Sequence, residues 1–357
     1  MTFIGGFQAS GSWSGRSAGG NLAQSTFGFN PQYVLDIEES SATQEGASLL
    51  IMAETARMVP LQVMLVHSNG GRRVEQVGED EVIISSGAYT HAVAMAERKA
   101  DSYVSGPAAA GLRHGVPPGR YTIIVSTFAP GVEGDFALTV EASHRLGPLR
   151  PIPQEGAGMF HRALRGRWAI EARSAGGGPT GGSYGLNPCW KLVVPRTVGG
   201  AVVQIRLRLD TDEVVGTLSG HGGAARSVQS VDALSASSPA TSRAKSQMRL
   251  PLNLAIFRLE PTSSSAQASV VDAPSSAQAR PTSANKLLVL PMSTPFTLPQ
   301  AGEVASSGPY ADRLHGVAIA RRRLEPGEYL LIASTYTAGQ EARFVVELCS
   351  ETPLETR

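Results

Sequence analysis

Short runs in which apolar and polar positions alternate recur along the chain. In FALTV, Phe136, Leu138 and Val140 share one face, the period of two of a strand with one buried side. YVLDI (33–37), LQVMLV (61–66), EVIIS (81–85), YTIIVST (121–127) and FALTVEA (136–142) are rich in Val, Ile, Tyr and Phe and are separated by Gly and Pro. PGRY (118–121) and PGEY (326–329) each predict a Pro-Gly turn feeding a strand that starts with Tyr. The stretch AYTHAVAMAERKA (88–100) also suits a helix, but a strand over HAVAMA is the preferred reading. The predicted fold class is all-β.

The pattern occurs twice. PGRYTIIVSTFAPGVEGDF (118–136) returns as PGEYLLIASTYTAGQEARF (326–344), with nine of 19 positions identical at a constant offset of 208. GSWSGRSAGG (11–20) is answered by GRWAIEARSAGG (166–177), and FGFNPQYVLDI (27–37) by YGLNPCWKLVV (184–194). Here the offset is 157, measured on Asn30 and Asn187. LQVMLV answers LNLAIF (252–257) at 191, and SGAY (86–89) answers SGPY (307–310) at 221. The growing offset places extra residues in the second unit.

Those insertions, near 216–248 and 262–285, are rich in Ser, Ala, Pro and Thr. Such stretches bury too little apolar surface to offset chain entropy and predict flexible surface loops inside a folded domain. The expected organisation is a first β-sandwich over 1–143, a linker over 144–160, and a second sandwich over 161–350. The prolines of the linker favour an extended, fairly stiff connection.

Composition narrows the function. The chain has 357 residues, 42% of them hydrophobic, and a net charge of +1, which gives no global drive toward nucleic acid or an acidic membrane. Two cysteines, Cys189 and Cys349, make no disulfide framework and favour a reduced, intracellular setting. No apolar run is long enough for a transmembrane helix. The opening MTFIGGFQASGSW lacks a basic region followed by an apolar stretch and predicts no secretory signal.

Taken together, the Gly-x-Trp start, the AGG, the Asn-Pro-x-aromatic step, the PGxYxIxxSTF-like segment and the closing Phe strand resemble calpain domain III, a C2-like sandwich. Both units match, over nearly the whole chain. Two such domains in tandem resemble the C-terminal region of the PalB and calpain-7 branch of calpain-like cysteine proteases. The resemblance implies a non-catalytic regulatory and binding module beside a protease core. It further implies fungal ambient-pH signalling, ESCRT-III-associated partners and cleavage of a PacC-type transcription factor by the parent. It implies a cytoplasmic chain recruited to endosomal or plasma membrane. A free-standing phospholipid- or protein-binding scaffold is the alternative.

No catalytic residue is predicted. Cys189, in NPCW, sits where the first unit has Gln32, so a strand role outweighs a nucleophile. The seven histidines have no metal-ligand spacing, and His315-Gly316, which repeats His114-Gly115, reads as part of a turn. No cofactor is expected, with calcium the one metal left open. Asp80 in GEDE, and Asp210 and Asp212 in DTDE, are the best acidic clusters, although solvated loop charge is the preferred reading because neither has a second carboxylate loop to pair with it. Basic stretches at Arg162, Arg165 and Arg167 and at Arg321, Arg322 and Arg323 are candidate contacts for anionic lipid or an acidic partner. On a regular strand Arg321 and Arg323 would share a face and Arg322 would lie opposite. Trp13, Trp168, Tyr121, Tyr329, Phe136 and Phe344 read as core, and Asn30 and Asn187 as markers of the repeat.

Overall fold

The computed structural model describes residues 3–39, 46–100, 115–196, 199–210, 249–259, 285–293, 295–298 and 302–356. The first unit contains β1 (Gly5–Trp13), β2 (Gln32–Ile37), β3 (Leu49–Glu54), β4 (Pro60–His67), β5 (Val82–Ser85), β6 (Thr90–His91), β7 (Val93–Arg98), β8 (Gly119–Thr127) and β9 (Gly134–Ala142). A short β10 (Arg150–Pro151) follows. The second unit contains β11 (Phe160–Trp168), β12 (Cys189–Val194), β13 (Ala201–Leu209), β14 (Leu252–Arg258), β15 (Leu287–Pro291), β16 (Glu303–Ser306), β17 (Val317–Leu324), β18 (Gly327–Thr335), β19 (Ala342–Ser350) and β20 (Leu354–Thr356).

Each unit is a sandwich of a four-stranded and a six-stranded sheet. The sheet β1-β9-β3-β7 faces β10-β2-β8-β4-β5, to which β6 adds on β4, and the sheet β11-β19-β13-β17 faces β16-β14-β18-β12-β15-β20. All pairings are antiparallel except β15 with β20. The stretch 88–100 is extended and not helical, with Ala92 at φ +66° between β6 and β7. No helix among the described residues is long and apolar enough to cross a membrane.

The repeated residues carry the same contacts in both units. Trp13 Nε1 donates to the Val125 carbonyl and Trp168 Nε1 to the Ala333 carbonyl, each at 3.0 Å. The rings stack on the closing-strand phenylalanines, with centroids 4.6 Å apart for Trp13–Phe136 and 4.1 Å for Trp168–Phe344. Tyr121 and Tyr329 bury their rings and donate to the carbonyls of Pro117 and Glu325, at 2.8 and 2.7 Å. Asn30 and Asn187 are wholly buried, and each amide donates to two carbonyls of its own loop.

Two features set the units apart. The linker runs along β2: Gly147 N–H donates to Asp36 O, β10 pairs with Val34 and Tyr33, and Ile152 N–H donates to Gln32 O. In the second unit the corresponding edge of β12 is taken by β15. Most of the two predicted insertions lies outside the described residues.

Candidate functional site

In β13, Ala201, Val203, Ile205 and Leu207 point into the second core, which leaves Val202, Gln204, Arg206 and Arg208 on the outer face. In β19, Phe344, Val346 and Leu348 point inward, and Val345, Glu347 and Cys349 lie outside. An outer face normally meets water. Here Arg206, Arg208, Val345, Glu347 and Cys349 are all buried, because the first unit and the linker cover them.

The cover is tied down by Arg73. Its guanidinium donates to the carbonyls of Gly28, Asn30 and Ile152, joining the 27–30 turn to the linker. Burial lowers its pKa to about 10, with Arg16 adding to that effect and Glu155 and Glu75 opposing it. Gln32 holds the same segment, accepting from Val74 N–H at 2.8 Å and donating to Val74 O at 2.7 Å. This places Glu75 over the second unit. Gly156, at φ +69°, lies directly on Cys349, where a Cβ would overlap the sulfur.

One ion cluster crosses the junction, and a second lies beside it on the covered face of the second unit. Arg206 donates from Nε to Glu155 Oε2 at 2.7 Å and from Nη2 to Glu75 Oε1, while Gln204 donates to Glu155 Oε1 at 3.1 Å. His315 Nε2 lies 2.8 Å from Glu75 Oε2. Burial works against ionisation of Glu75, but the His315 hydrogen bond and the Arg206 charge outweigh it and hold the carboxyl at about 2. In the second cluster Arg208 Nη2 donates to Glu347 Oε1 at 3.1 Å, and His161 pairs with Oε2. Burial again opposes the charge on Glu347, and His161, Arg208 and Arg16 hold it at about 2.

Register shows what the first unit has at these places. Aligning Phe136 with Phe344 puts Met52 where Arg206 stands, Glu54 at Arg208, Thr139 at Glu347 and Glu141 at Cys349. The two arginines and the glutamate that this face contributes have no counterpart at the same places in the first unit. Nothing in the repeat marked the charged junction, and His315, read as a turn residue, is one of its members.

Beside the first cluster the two units and the linker enclose a cleft of about 820 Å³, lined by both acids and bases, among them Arg72, Glu75, Glu81, Glu155, Arg313 and Arg321. Of the arginines singled out in the sequence, only Arg321 lines it. A register shift between β13 and β17 breaks the alternation there, and Arg321, Arg322 and Arg323 are all exposed on an edge strand. Arg321 pairs with Glu351 at 3.0 Å, and Arg323 donates to Gly199 O at 2.8 Å. Arg162, Arg165 and Arg167 lie on β11, the opposite edge of the same sheet, so the two basic groups are not joined. Asp80 is exposed in the turn before β5, Asp210 lies 3.7 Å from Arg165, and Asp212 falls outside the described residues. Among the described residues no group of three or more His, Cys, Asp or Glu is placed to hold a metal. Cys189 is buried beside Tyr184, Leu330 and Ile332, and burial pushes its thiol up to about 11, the opposite of what a nucleophile needs.

Residues 9–140 match the family model of the calpain large subunit, domain III. Calpain-like protease palB/RIM13 of Cryptococcus neoformans is 27% identical over 327 residues, which covers 92% of this chain. The first unit thus matches calpain domain III, and the chain as a whole is similar to PalB-type calpain-like proteases. The palB proteins of Neurospora crassa and Aspergillus oryzae are 32% and 35% identical, each over 42% of the chain. The matched stretches span 29%, 16% and 15% of the lengths of these three relatives, so the chain corresponds to only part of each.

Proposed function

We propose that the chain is a non-catalytic regulatory and binding module: two domain III sandwiches clamped in one fixed relation, serving a PalB-type calpain-like protease. The observation that carries this reading is the buried charge junction. It occupies a sheet face that the first unit leaves to solvent, and it makes a rigid two-domain platform with a mixed-charge cleft. A platform of this kind positions a protease core and recruits partners without chemistry of its own.

The resemblance supplies the partners to test: the protease core, ESCRT-III-associated proteins of a PacC-processing pathway, and anionic membrane at the endosome or plasma membrane. Calcium is not needed in this reading, since Asp210 is engaged by Arg165 and Glu81 accepts from Gly78 N–H. The deciding experiment is a pull-down of the purified core and of ESCRT-III proteins by this chain, alongside co-sedimentation with anionic and neutral vesicles, with and without calcium. Binding to the core that is lost in a chain cut between the units supports the module. Absence of binding to every one of these probes overturns it.

A further inference from the structure

The second cluster sits at a cavity of about 360 Å³ between the units, distinct from the mixed-charge cleft. Arg16, His161, Arg208 and Glu347 line it, with Thr26 and Gly131 of the first unit at its wall. Arg208 has a side chain only 9% exposed, and its Nε and Nη1 are buried with no acceptor. Arg16 lies over the Phe29 ring at 4.8 Å and gives Nη1 to Glu155 O at 3.0 Å, while its Nε and Nη2 are likewise buried without an acceptor. Four guanidinium nitrogens are therefore unmatched in the two arginines that line this cavity. Buried charged donors left without acceptors are costly, and such atoms in a native structure call for a missing partner.

The charge balance says what partner. Among the described residues Glu347 is the only carboxylate lining this cavity, against two guanidiniums and an imidazole, and its two oxygens are already engaged by Arg208 and His161. The larger cleft sets Arg72, Arg73, Arg313 and Arg321 against three carboxylates, Glu75, Glu81 and Glu155, so acids and bases both line it. We propose that the pocket formed by Arg16, Arg208 and His161 between the two sandwiches is an oxyanion site that takes a phosphate group, free or as a monoester. A tetrahedral dianion offers several acceptor oxygens, and guanidinium forks match that geometry. Because one wall comes from each unit, the bound anion also reinforces their docking.

The test is thermal unfolding and calorimetric titration of the whole chain with millimolar inorganic phosphate, against sodium chloride at equal ionic strength. Glycerol phosphate in a parallel arm separates the free ion from the monoester. Phosphate is expected to raise Tm saturably. Arg16→Gln should weaken binding at least tenfold while leaving the β-sheet circular dichroism unchanged. Glu347→Gln, which removes the carboxylate that competes inside the pocket, should tighten binding even though it lowers Tm in phosphate-free buffer. A response to both ligands assigns the phosphate group itself, and a response to inorganic phosphate alone assigns the free ion. A Tm rise no larger than that in chloride, or an Arg16→Gln chain that responds like the wild type, overturns the proposal.

Discussion

Arg206 bonds to both parts of the cover, the linker through Glu155 and the first unit through Glu75. Its removal strands two carboxylates at the junction, and breaking a buried pair from one side costs about 3–5 kcal/mol. The repeat supplies the informative replacement. Met52 holds the equivalent place in the first unit, so methionine is compatible with this strand position. Arg206→Met is expected to lower stability to urea by about 3–5 kcal/mol. Adding Glu75→Gln and Glu155→Gln should restore part of that loss; a triple variant as unstable as the single one would mean that the arginine acts through packing. The thiols give a second check at this scale. Burial raises the pKa of Cys189 and of Cys349, the latter against the pull of Arg16. Neither should react with a disulfide reagent at pH 8 until the chain unfolds, and rapid labelling of Cys189 in the native protein would contradict its placement.

At the scale of elements, the paired motifs were legible because each has one physical job done twice. Gly11 and Gly166 show this well. They pair in register with Phe136 and Phe344, whose rings fold back over them where a Cβ would stand. An alanine at either position overpacks a finished core, at a cost of about 1–3 kcal/mol. Gly11→Ala and Gly166→Ala should each lower the Tm of the chain; an unchanged Tm for both would show that the ring packing is not the constraint. The junction was not legible for the complementary reason. Matching the units highlights what they share, whereas Arg206, Arg208 and Glu347 stand where the first unit has Met52, Glu54 and Thr139. The alternation IRLRL in β13 did place two arginines on the face opposite the core. Sequence alone does not say that a linker and a neighbouring unit cover that face. The edge strands escaped for a similar reason: β10 and β15 occupy equivalent edges but come from a linker and from the end of an insertion, with no common motif.

For the whole molecule, acid is the informative variable: of the carboxylates with lowered pKa, Glu75 joins the two units, Glu347 is held by His161 and Arg208 on the covered face of the second, and Asp36 is held by Arg120 and Arg150 of the first unit and linker. Glu75 and Glu347 sit at about 2 in the folded chain, below the ordinary 4.5. A carboxyl whose folded pKa is depressed contributes stability in full above its unfolded pKa and loses it as pH falls toward the folded value. The window therefore runs from about pH 4.5 down to about pH 2. For Glu347, with a side chain 6% exposed, the shift corresponds to about 3 kcal/mol. Glu75 is 41% exposed and adds less, because water screens it. The cores of the two sandwiches are apolar and hold no such carboxylate. Protonating Glu75 in this window removes its pairs with Arg206 and His315 of the other unit, so acid should separate the units before it unfolds either apolar core. The expected record is a rise in radius of gyration by solution X-ray scattering while far-ultraviolet circular dichroism still reports intact sheets. Arg206→Met should bring the separation to higher pH, since its carboxylates are no longer held by the guanidinium. Simultaneous loss of compactness and sheet signal, at the same pH in both proteins, would mean that the charge junction does not govern how the two sandwiches are held together.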